Sequence, residues 1–154
     1  MTIENIIDLA SIAGAIFLLV LKRKGMKKYV PVALFAFYWA IIWCEFAEYF
    51  GWWSNPIRSF PYFDIPLSVD FIVVPIMAMF WVRYAPSNFK GLVTWNLFIT
   101  IILSGAEYLI VRYTNLLEYG DGFYWYYSFL LWFISWFVWY GFHVWFYRER
   151  KVQR

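Results

Sequence analysis

Five apolar stretches, each long enough to cross a lipid bilayer, constrain this chain more than any other feature of its sequence. A helix rises about 1.5 Å per residue and needs roughly 20 apolar residues to traverse the hydrocarbon core. The stretches run about Ile3 to Leu21, Tyr29 to Phe50, Pro66 to Val82, Leu92 to Val111 and Phe123 to Tyr147. The third is the weakest, because it contains Asp70 and Pro75. Inside lipid no water satisfies backbone groups, so each stretch must be helical. The expected fold is therefore all-α: a polytopic membrane protein with a bundle of five transmembrane helices, forming a single domain over residues 1–154. Only 15% of residues are charged and 64% are hydrophobic, whereas soluble domains carry about 25% charged residues. A soluble fold of this length could not hide so much apolar surface.

The connections orient the chain. Lys22, Arg23, Lys24, Lys27 and Lys28 lie between the first two stretches, Arg83 and Lys90 between the third and fourth, and Arg148, Arg150, Lys151 and Arg154 in the tail. These eleven fall on one side of a five-span bundle, and only Arg58 and Arg112 fall on the other. Basic residues stay cytoplasmic, so the N-terminus is expected outside and the C-terminus in the cytoplasm. The acidic start, Met1 to Asn5, and the absence of a small-residue cleavage site point away from a cleavable signal peptide. The second connection, about Gly51 to Ile65, carries Trp52, Trp53, Phe60, Tyr62 and Phe63. It reads either as an aromatic belt at the outer interface or as a lid over a pocket.

Several chemistries are excluded. The one cysteine, Cys44, permits no intrachain disulfide, and the one histidine, His143, excludes sites built on several histidines. No Gly-rich phosphate loop, HExxH or CxxC pattern is present. No cofactor, no metal and no nucleic-acid partner is expected.

The acids carry the functional signal. Only Glu149 falls on the basic side, while Asp64, Glu118 and Asp121 fall in loops of the other side. Asp8, Glu45, Glu48, Asp70 and Glu107 lie within the apolar stretches, all at about the same depth in the outer third of the membrane. A carboxylate at the centre of a membrane helix costs about 2.5–3.5 kcal/mol on insertion scales, so such groups face the bundle interior, pair, or stay protonated. Glu45 and Glu48, three apart, share a helix face. Asn96, Thr100, Ser104 and Glu107, spaced by four, four and three, form one polar stripe. Ser128 and Ser135 add a second stripe on the last stretch. The candidate ligand- or proton-binding residues are Glu45, Glu48, Asp70, Asn96, Ser104 and Glu107, with Arg112 as counter-ion. The same stripes also serve as glue between membrane helices, and carboxyls near an interface can snorkel to water. Pro75 is expected to kink the third span and release a backbone carbonyl. No catalytic residue can be assigned.

Lys28-Tyr29-Val30-Pro31, Asp70 with Pro75, Glu107-Tyr108 and Tyr124-Trp125-Tyr126-Tyr127-Ser128 together resemble a family of small multi-spanning membrane proteins from spore-forming Firmicutes that has no assigned activity. The resemblance covers about residues 28 to 147. It implies a multi-pass protein of a bacterial plasma membrane and no particular chemistry.

Three functions remain open from sequence. One is an outward-facing, carboxylate- and aromatic-lined pocket that binds or transports a cation or a proton-coupled small ligand. Another is a membrane enzyme using a protonated carboxyl on a lipid or isoprenoid substrate. The third is a non-catalytic assembly component. The bilayer is the expected partner throughout, and five spans are few for a complete translocation path, so a homodimer is expected for transport.

Overall fold

A computed structural model describes residues 3–56 and 69–152. Among them are five helices and a two-stranded ribbon: α1 (Ile3–Leu21), α2 (Val30–Phe50), β1 (Trp53–Ser54), α3 (Val74–Tyr84), α4 (Phe89–Tyr113), β2 (Glu118–Tyr119) and α5 (Trp125–Val152). Four helices, α1, α2, α4 and α5, are long and apolar enough to cross a membrane, and α3 belongs to a shorter apolar segment.

Local chemistry sets the boundaries. Pro31 lies in the first turn of α2, where its missing N–H leaves no hydrogen bond unmade. Gly51 ends the helix in the left-handed region at φ 65°, a conformation that favours glycine. Asn88 caps α4 by accepting from the Gly91 N–H at 3.2 Å. The third apolar stretch departs from expectation. Pro75 does not kink a continuous helix; it sits in the first turn of α3, preceded by a wide π-helical turn at Val69–Val73. A proline in a helix interior would remove a hydrogen bond and clash one turn back, so the regular helix begins at the proline instead. Residues 66–68 of this stretch lie outside the described residues.

α5 is the hub. It packs on α2, α3 and α4, while α3 also packs on α2 and α1. Fully buried Ala36 and Ala78 allow α2 and α3 to approach closely. The dry core lies toward the end where the basic residues gather. Here Trp81 stacks on Trp136 with centroids 5.3 Å apart, and Trp136 meets Trp139 edge to face at 4.9 Å. In lipid such burial contributes through packing and dispersion, because the surrounding solvent is itself apolar. Two hydrogen bonds secure this basic end: Arg83 Nη1 donates to the Lys22 carbonyl at 2.7 Å, and the Tyr147 hydroxyl donates to that of Lys28.

At the opposite end β1 and β2 pair antiparallel, with Trp53 opposite Tyr119 and Ser54 opposite Glu118. The Gly120 N–H extends the ladder to the Trp52 carbonyl at 2.8 Å. A Cβ at position 120 would run into the Gly51 carbonyl oxygen, so this close approach requires glycine. Phe123 lies under the ribbon, its ring 5.3 Å from both Trp53 and Tyr119 and 6.0 Å from Trp52. The ribbon forms a flap over that end of the bundle.

Candidate functional site

Beneath the flap lies a cavity of about 380 Å³, within the size range of small-molecule pockets. Its lining comes from one half of each helix: the start of α1, the end of α2, the start of α3, the end of α4 and the first half of α5. Trp53 of β1 with Asn55 just after it, and Leu116 and Leu117 before β2, line the flap end. Five tryptophans contribute, Trp39, Trp43, Trp53, Trp132 and Trp139. The charged residues lining it are Asp8 and Glu107, and no described lining residue is Lys, Arg or His.

Glu107 is held by three side-chain donors. Its Oε1 accepts from the Tyr119 hydroxyl and from the Ser128 hydroxyl, each at 2.6 Å, and its Oε2 accepts from Trp132 Nε1 at 2.8 Å. Every one of these groups donates, the pattern that suits an acceptor-only carboxylate. The three donors come from two places, β2 and α5, so the carboxylate ties the flap, α4 and α5 together. Burial, followed by the hydrogen bond to Glu107, raises the Tyr119 hydroxyl well above its ordinary value of 10.0.

A second polar join lies one turn deeper on α5. Trp39 Nε1 of α2 donates to Ser135 Oγ at 2.8 Å, and Ser135 passes the bond to the Leu131 carbonyl at 2.7 Å. Toward the basic end, fully buried Asn96 donates from Nδ2 to the Phe133 carbonyl at 2.9 Å and accepts from Thr100 at 3.1 Å.

The residues expected from sequence thus divide. Glu107 lines the cavity, together with Asp8, Ser11, Ser128 and Ser135. Asp8 and Glu4 are buried, and both make polar interactions. Asn96 is buried between α4 and α5 as helix-to-helix glue, outside the cavity lining. Ser104 is half-buried, its hydroxyl without a hydrogen-bond partner among the described residues, and it does not line the cavity. Glu45 and Glu48 share a face as expected, but it is the exposed face of α2. Trp39, Ala40, Trp43 and Cys44 turn toward the cavity, and at about 100° per residue Glu45 lies about 200° around the helix from Trp43. Asp70 falls in the turn before α3, and its side chain lies outside the described residues. Arg112 is exposed and donates to the Tyr108 hydroxyl at 3.3 Å. It is therefore neutral donors, rather than the expected counter-ion, that hold Glu107 in this structure. His143 stacks on Tyr29 at 5.1 Å near the basic end, remote from Glu107 along the bundle. Among the described residues no three His, Cys, Asp or Glu side chains gather so as to hold a metal.

Sequence reasoning did not reach Tyr119 or the donor role of Trp132. A signal for Trp132 exists: Ser128, Trp132, Ser135 and Trp139 are spaced by four, three and four, one face of α5 on which indoles alternate with hydroxyls. Nothing local marks Tyr119, which is brought in by pairing with a strand more than sixty residues earlier.

No protein family, curated protein or solved structure matches this chain.

Proposed function

We propose that this chain is a multi-pass plasma-membrane protein of a bacterium that binds a lipophilic organic cation in the cavity beneath its flap. In this reading it crosses the bilayer five times, with the N-terminus and flap outside and the basic end in the cytoplasm. The eleven-to-two division of basic residues supports that orientation.

One observation carries the choice of ligand. The cavity is walled by five tryptophans, and the charged side chains described in its lining are both carboxylates. Opposite charges 4 Å apart attract by about 4 kcal/mol at an effective dielectric of about 20, and an aromatic face adds about 0.5–2 kcal/mol toward a cation. An anion meets the same field with the opposite sign. The three donors that hold Glu107 carry no charge, so a carboxylate there has no cationic partner among them beside the cavity. The same three hydrogen bonds occupy both oxygens of Glu107, so a substrate taking a proton from it would first have to displace one of them.

The test uses a pair of ions of nearly equal size and opposite charge, tetraphenylphosphonium and tetraphenylborate, with the protein in detergent. Saturable tetraphenylphosphonium binding, weakened about tenfold by Glu107→Gln and absent for tetraphenylborate, is the expected result; about tenfold corresponds to about 1.4 kcal/mol. Equal binding of both ions, or tetraphenylphosphonium binding unchanged in both Glu107→Gln and Asp8→Asn, would sink the proposal.

A further inference from the structure

The cavity has a side as well as a top. Ile7, Asp8 and Ser11 of α1 line it on one side, and Leu103, Ala106, Glu107 and Ile110 of α4 on another. α1 is held by α3 and the turn before it, and α4 by α5, but α1 and α4 are not closely packed on each other. Ala106 both lines the cavity and is exposed. Its neighbour Gly105 adds no bulk, and a Cβ there would meet open space. Ala106 lies seven residues before the end of α4 and Ser11 eight after the start of α1, so the gap sits about 10–12 Å below the helix ends. In a bilayer whose hydrocarbon core is about 30 Å thick, that depth is within the acyl chains rather than at the headgroups.

We propose that the gap between α1 and α4 is a lateral portal, and that the ligand is a membrane-dissolved amphiphile that reaches Glu107 from within the bilayer instead of from water. This rests on the binding reading above and narrows the ligand to molecules that partition into lipid. The flap then has a different task from a gate: with Tyr119 fastened to Glu107 and Leu116 and Leu117 against the cavity, it seals the polar end from water.

The portal is tested without any cation. Cys44→Ser removes the chain's single cysteine, and Ser135→Cys places a thiol at a buried position of the cavity wall. The protein is reconstituted in vesicles and treated with a lipophilic N-aryl maleimide or with a membrane-impermeant sulfonated thiol reagent. The maleimide is expected to label Cys at 135 at least about tenfold faster than the sulfonated reagent. Ala106→Phe, and independently Ser11→Phe from the opposite rim, should slow maleimide labelling about tenfold, while Ile101→Phe, exposed and about 140° around α4 from Ala106, should leave it unchanged. Labelling by the sulfonated reagent at the maleimide rate overturns the portal, and so does unaltered labelling in both rim variants. Neither reagent is a cation, so loss of the portal leaves the tetraphenylphosphonium result standing, and loss of cation binding leaves the portal standing.

Discussion

The three donors on Glu107 are not equivalent, and that makes a quantitative prediction. Tyr119 and Ser128 present hydroxyls, which can turn and accept, whereas the Trp132 indole N–H can only donate. In Glu107→Gln the amide oxygen will therefore face Trp132, and the amide nitrogen will donate to the two hydroxyls. All three bonds survive without charge. Hydrogen bonds to charged groups contribute about 1.5–3 kcal/mol and neutral ones about 0.5–1.5 kcal/mol, so the three exchanges together cost about 3–4.5 kcal/mol, and less after the easier burial of a neutral amide. Glu107→Leu removes every acceptor and strands the indole N–H, which adds about 1–3 kcal/mol. Trp132→Phe in the same background removes the stranded donor, so the two substitutions should cost less together than their sum. Interhelical hydrogen bonds in membranes couple by about 0.6 kcal/mol on average and reach about 1.7 kcal/mol. A bond to a carboxylate belongs near the top of that range, and the expected coupling is about 1–2 kcal/mol. Reversible unfolding in mixed micelles, followed by helical circular dichroism across the four-variant cycle, measures it. A coupling under about 0.3 kcal/mol, or Glu107→Gln as damaging as Glu107→Leu, would refute the reasoning.

Burial and its bond to Glu107 hold the Tyr119 proton more tightly in the folded protein than in the unfolded one. Its contribution to stability is therefore complete below the ordinary tyrosine value and falls as pH rises beyond about 10 toward the folded value. The unfolding midpoint between about pH 9 and about pH 12 should decline less steeply in Tyr119→Phe, and an identical slope in both proteins would count against the bond. Gly120→Ala should lift β2 away from Gly51 and loosen the flap, read as faster labelling of the buried thiol at position 135 by the sulfonated reagent and a loss of thermal stability at least as large as that of Tyr119→Phe. Vesicles containing the wild-type protein should bind organic cations without carrying tetraethylammonium inward, and accumulation above protein-free vesicles would contradict a cavity closed at its floor.

Much of this architecture is legible in the sequence, for unequal reasons. α1, α2, α4 and α5 coincide with apolar runs, because length and apolarity are what a bilayer demands of a helix. The α4 stripe also leads to Glu107, since polar side chains at helical spacing stand out against an apolar background. The facing of α2 is a different matter. It is apolar all round, since both its protein side and its exposed side carry Phe, Tyr, Ile or Trp, so no periodicity says which side Glu45 and Glu48 join. The cost of burying charge argues for an inward facing, whereas packing of Val32, Ala36 and Ala47 turns them outward. The flap escaped for another reason: β1 and β2 have two residues each, too few for a strand pattern, and their pairing is a long-range event.

The tryptophans of α5 show where the cavity must stop. Trp132 donates its N–H to Glu107, and Trp39 donates to Ser135 nearby. One turn further, Trp136 and Trp139 are almost wholly buried, and neither their N–H groups nor that of Trp81 has a hydrogen-bond partner among the described residues. An unpaired buried donor costs about 1–3 kcal/mol. The perpendicular packing of Trp136 on Trp139 places indole edges against ring faces, the contact geometry that aromatic rings favour. The same residue type therefore serves opposite ends within a single turn, as a hydrogen-bond donor on the cavity side and as a packing element below it. Extending the cavity toward the basic end would require separating Trp81, Trp136 and Trp139, with no neighbouring acceptor to reward the move. A ligand seated against Glu107 would accordingly meet its floor at Trp139, and on the proposed reading a single copy in this conformation holds a molecule in one half of the membrane rather than passing it to the other.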